Sequence, residues 1–118
     1  MKIGQIGIPV TDVERATAFY QEKLELPLLF KAPPGLAFFQ CGDIRLMLDA
    51  SSGEHAGQGT VIYFKKEEME SWYHDKLKEG ILFVRSPHLV AKMPDHELWM
   101  CFLKDPDGNL IGIMEERN

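Results

Sequence analysis

Phe102-Leu103-Lys104-Asp105-Pro106-Asp107-Gly108-Asn109-Leu110-Ile111-Gly112-Ile113-Met114 reads as a strand, a tight turn and a second strand. The Asp105 side chain is placed to accept hydrogen bonds from the amides of the turn. Pro106 fixes φ at the first central position, and Gly108 accepts φ > 0. The apolar runs on either side make this a β-hairpin with a short loop.

Working outward, the chain repeats itself. Lys2–Val10 alternates around Ile3, Ile6, Ile8 and Val10 and predicts a strand. Thr11 or Asp12 supplies an N-cap. Val13, Ala16, Phe19, Tyr20 and Leu24 recur at helical spacing, so Asp12–Leu24 is expected to be an amphipathic helix, ended before Pro27. Leu28–Lys31, Leu36–Cys41 and Ile44–Leu48 read as strands, separated by Pro33-Pro34-Gly35 and Gly42-Asp43.

In the second half Thr60–Phe64 reads as a strand, Glu67–Glu79 as a helix stopped by Gly80, and Ile81–Arg85 as a strand. Laid over each other, Phe19–Phe30 and Trp72–Phe83 are identical at Tyr20/Tyr73, Lys23/Lys76, Leu24/Leu77, Leu29/Leu82 and Phe30/Phe83. Both segments span a helix-to-strand junction, and such a repeat sets the architecture. The expected fold is α+β: two βαβββ modules, about residues 1–50 and 59–118, joined by a Ser- and Gly-rich linker at about 51–58. Ser86–Leu98 is expected to be an enlarged loop of the second module, and polar loops of that length often carry function.

Composition narrows the partners. A chain of 118 residues fits one domain and buries on the order of two-thirds of its unfolded surface. No apolar run approaches roughly 18 residues, so no membrane span is expected. Strand-like sequence follows Met1 at once without a signal-peptide pattern, which predicts a cytoplasmic protein. The net charge of −5, with no basic block, argues against nucleic acid. Cys41 and Cys101 form no CxxC pair or zinc pattern and read as small apolar strand residues.

Three features together resemble the vicinal-oxygen-chelate family, which includes glyoxalases, bleomycin-resistance proteins and extradiol dioxygenases. They are the opening Gln5-Ile6-Gly7-Ile8-Pro9-Val10-Thr11-Asp12 with Phe19-Tyr20, the closing Asp105-Pro106-Asp107-Gly108-Asn109, and the repeat. The resemblance spans nearly the whole chain and implies curved mixed sheets around a cleft. It also implies a homodimer and a small-molecule ligand.

In metal-using relatives each module gives one ligand from its first strand and one from its last. The resemblance puts Gln5, Met47, Thr60 and Gly112 at these positions. Glutamine serves at the first of them in some glyoxalases. A thioether, a hydroxyl and a missing side chain supply no anionic oxygen, so no metal and no cofactor are expected. The implied function is a metal-free binder of a small organic molecule, sequestering or resistance-like. A glyoxalase-type lyase or isomerase with substituted ligands is the alternative.

A further group is His88, Asp95 and His96 in the expected loop, with Trp99 just after it. Two histidines beside a carboxylate suit acid–base catalysis without metal. A relocated metal site and plain hydrogen bonding of the loop to the sheet are the other readings. Trp99 and Phe102 either wall the cleft or belong to the core.

Overall fold

The structure, a computed structural model, describes residues 2–118. The first module comprises β1 (Gln5–Pro9), α1 (Val13–Ala18), β2 (Leu28–Ala32), β3 (Leu36–Cys41) and β4 (Ile44–Asp49). The second comprises β5 (Ile62–Lys65), α2 (Met69–Lys78), β6 (Phe83–Lys92), β7 (Glu97–Lys104) and β8 (Leu110–Arg117). Each module forms one curved four-stranded sheet, ordered β1-β4-β3-β2 and β5-β8-β7-β6. The pairs β1/β4 and β5/β8 are parallel and the others antiparallel, so both sheets are mixed. This is the expected βαβββ order, twice. By contacts the chain divides into one unit running to Gly59 that takes in Pro106–Gly108, and a second holding Thr60–Asp105 and Asn109–Asn118.

The period-two pattern decides which face of each sheet is buried. In the first, Ile8, Leu46, Leu48, Ala37 and Phe39 are buried beneath the helical segment, where Tyr20 meets Phe39 with ring centroids 6.2 Å apart. Asp12 caps α1, accepting from the amides of Glu14 at 3.0 Å and Arg15 at 3.2 Å. The helix continues past Ala18 as a π turn over Phe19–Lys23 and stops at Leu24. In the second sheet Cys101, Leu103, Ile111 and Ile113 are buried together with Met69 and Trp72 of α2. Trp72 and Tyr73 both meet Phe83 edge-on. Gly80 follows the helix at φ 90°, a conformation that costs a residue with a Cβ.

Two expectations are corrected. Ser86–Leu98 is not an enlarged loop. β6 runs on to Lys92, and only residues 93–96 turn, closed by the Met93 amide donating to the His96 carbonyl at 2.7 Å. Pro87 is tolerated because the β6/β7 register shifts between Arg85 and His88, so its missing N–H falls at an irregularity in the ladder. The segment is therefore an arm of the sheet. The linker also has structure: Ala50–His55 forms a 3-10 helix, capped by Asp49 accepting from the Ser51 amide at 2.8 Å. Among the described residues no helix is long and apolar enough to cross a membrane.

Candidate functional site

In the second module, strand alternation leaves a face turned away from the Cys101–Leu103 core. Register places Tyr63 beside Gly112, Gly112 beside Phe102, Met114 beside Met100, and Met100 beside His88. A row of rings thus runs across the sheet. Tyr63 meets Phe102 at 5.9 Å with planes 78° apart, and His88 lies 6.2 Å from Phe102 at 30°. Tyr63 is 45% exposed.

His88 has a fixed hydrogen-bonding sense. Its Nδ1 stands 2.8 Å from the Ser86 carbonyl oxygen. A carbonyl only accepts, so Nδ1 carries the proton and the neutral ring keeps its lone pair on Nε2.

The first module carries a comparable row on its own sheet. Gly7, Met47, Phe38 and Phe30 are successive register partners across β1, β4, β3 and β2. Phe30 and Phe38 stack at 4.7 Å, and the Arg45 guanidinium lies 5.3 Å from the Phe38 ring centre. Gln5 Nε2 donates to Met47 Sδ at 3.5 Å, so the first two expected site residues are in contact, as a polar group on a soft sulfur.

The four metal-ligand positions do not suit an ion. At Gly112 the space a side chain would need is filled: a Cβ there would lie 2.7 Å from Tyr63 Cε1 and 3.1 Å from Cγ. Register also corrects the third position. Gln5 stands two residues before Gly7, the partner of Met47. Two residues before Tyr63, the partner of Gly112, stands Val61. Thr60 precedes the strand by one residue more and falls out of that alternation. The counterpart of Gln5 is thus a hydrocarbon. Among the described residues no three His, Cys, Asp or Glu groups converge to hold a metal.

The two histidines have separate hydrogen-bond partners. His96 has Nδ1 2.8 Å from Asp95 and Nε2 3.0 Å from Glu116, and Glu116 also takes the Lys65 ammonium at 2.7 Å. Its hydrogen bond to His96 holds the Asp95 carboxyl below its ordinary value. The Lys65 hydrogen bond does the same for Glu116, and Glu116 in turn raises Lys65. Through Glu116, His96 thus ties the β6/β7 turn to the end of β8, while its other nitrogen faces Asp95 within the turn.

Trp99 falls on the other face from Phe102, in phase with Cys101 and Leu103. It donates to Glu97 at 3.1 Å and lies under the Arg117 guanidinium at 4.3 Å. Cys101 is inert: burial, helped by the charge of Glu70, pushes its thiol up to about 12. Sequence reasoning missed Tyr63, Met100 and Met114. The signal for Tyr63 was its alternation with Val61 opposite the Gly112 strand.

The solved structures similar to this chain carry the same fold. A lactoylglutathione lyase from Agrobacterium tumefaciens superposes with a TM-score of 0.77 at 23% identity, over 97% of this chain and 92% of that one. TnmS3, an antibiotic binding protein from Streptomyces sp. CB03234, gives 0.75 at 22%, over 98% and 96%. A glyoxalase/bleomycin resistance protein/dioxygenase from Alicyclobacillus acidocaldarius gives 0.76 at 20%, over 99% and 92%. No curated protein sequence matches the chain. The family model for the Glyoxalase/Bleomycin resistance protein/Dioxygenase superfamily matches residues 2–113, and with nearly the whole length so matched, the chain belongs to that superfamily.

Proposed function

We propose that the chain binds a small organic molecule without a divalent metal. The observation that carries this reading is the Tyr63 ring lying over Gly112, where metal-using relatives place a carboxylate. The remaining donors agree: Gln5 offers one neutral amide already turned to Met47 sulfur, and Val61 offers nothing. The fold likeness to an antibiotic binding protein is in keeping with a binding role. The face itself is apolar and adaptable, with thioethers beside aromatic rings, a composition that accommodates varied organic shapes.

The test combines elemental analysis with a ligand screen by thermal shift. The purified protein is expected to hold well below one equivalent of any divalent ion, and chelators are expected to leave its melting temperature unchanged. A true ligand should add about RT ln(1 + [L]/Kd), roughly 2.7 kcal/mol at a hundredfold excess over Kd. One equivalent of nickel, zinc, manganese or iron, lost when Gln5 is changed to Ala, would establish the glyoxalase-type alternative instead.

Homodimer assembly belongs to the same proposal. β6 supports it as an edge strand with Val84 and Val90 about half exposed, a surface that proteins usually cover. Sedimentation at micromolar concentration is expected to give twice the 13.5 kDa chain mass, and a clean monomer would refute it.

A further inference from the structure

We infer that the second module selects aromatic ligands carrying a hydroxyl or comparable acidic donor, with His88 Nε2 as the accepting atom. The inference rests on the proposed binding function and names the chemistry the ligand must have. Three observations converge on it. Tyr63 and Phe102 present ring surface in two orientations, an edge-to-face pair with Tyr63 half exposed, which suits contact with a flat apolar body. Met100 and Met114 continue that surface with soft side chains. The His88 ring, 6.2 Å from Phe102 and 30° from its plane, brings an imidazole to this surface.

That imidazole has a determined sense. The Ser86 carbonyl fixes the proton on Nδ1, so Nε2 presents a lone pair, and no described protein group is found on it. An acceptor beside an apolar surface discriminates between ligands: a phenol-like hydroxyl satisfies it, whereas an ether or a bare ring covers it without a bond. His96 offers no such handle, because Asp95 and Glu116 occupy both its nitrogens.

The probes are a naphthol, its methyl ether and naphthalene, titrated by fluorescence against the intact protein. The naphthol is expected to bind about tenfold more tightly than the ether. His88→Asn retains a donor for the Ser86 carbonyl and removes the atom at the Nε2 position. It is expected to fold normally and to bind naphthol and ether alike. His88→Phe, which keeps the ring beside Phe102, should behave the same way, and Tyr63→Ala should weaken both probes together. Equal affinity of the native protein for naphthol and ether overturns the inference, as does discrimination that survives in both His88 variants. If no naphthalene probe binds but other small molecules raise the melting temperature, the hydroxyl-aromatic inference fails and the binding function stands. If nothing raises it, both fail.

Discussion

Asp105→Ala is expected to lower the unfolding free energy by about 2–4 kcal/mol. The Asp105 carboxylate stands at the base of the last turn and is only 5% exposed. One oxygen accepts from the Asn109 amide at 2.9 Å and the other from Asn109 Nδ2, also at 2.9 Å, while the Asp105 amide donates to the Asn109 carbonyl at 3.0 Å. Asn109 is itself buried, so truncation strands two donors that water reaches poorly. Each stranded group costs on the order of 1–3 kcal/mol, more than the bond itself was worth on balance. Asp105→Asn keeps one acceptor and should lose about half as much. Urea unfolding monitored by tryptophan fluorescence measures both, and an unchanged slope would show that the denatured state was not altered. A loss below about 0.5 kcal/mol for the alanine variant would mean that the turn rests on Pro106, Gly108 and the bonds of Asp107 to Thr11 and Arg15.

This turn was also where the fold was most legible. Asp105, Pro106 and Gly108 each have one good role at that spacing, and Gly108 takes φ 83° as a turn glycine does. The repeat was legible for a related reason: helix-to-strand junctions constrain both burial and chain direction. Tyr20 is fully buried, and Lys76 is buried with its ammonium 3.2 Å from Glu79. The continuation of β6 past Arg85 was hidden because Ser86-Pro87-His88 has the composition of a loop. What makes it a strand is the register shift opposite Phe102 and Met100, a property of the pair and not of either strand.

The site divides along the same line. Trp99 and Phe102 differ in parity, so once β7 is recognised as a continuous strand they must face opposite ways. Parity also separates Thr60 from Gln5, but only after the β5/β8 register is known, and no local pattern states that register. Side-chain chemistry alone was enough to see that Met47 and Gly112 cannot serve a hard cation. It gave no hint that a neighbouring ring occupies the space left by the glycine.

That ring makes Gly112→Glu, the substitution that would restore a family-like carboxylate, a loss. The expected cost is about 2–4 kcal/mol of stability, with no metal gained and probe binding weakened by about tenfold or more. The new Cβ would stand 2.7 Å from Tyr63 Cε1, closer than nonbonded carbons approach. The ring must therefore swing off the sheet, breaking its edge contact with Phe102, worth roughly 0.5–1.5 kcal/mol by itself. A carboxylate is then set against Phe102 and Met114, where it spoils the apolar platform. Gly112→Ala isolates the steric part and should cost about 1–3 kcal/mol. A double-mutant cycle with Tyr63→Ala tests the cause: without the ring, the alanine should cost little, so the coupling should approach the whole single-mutant effect. Additive costs would show that the Cβ meets something other than Tyr63. Elemental analysis of Gly112→Glu completes the test, since an ion held at one equivalent would mean that the other donors suffice once a single carboxylate is supplied.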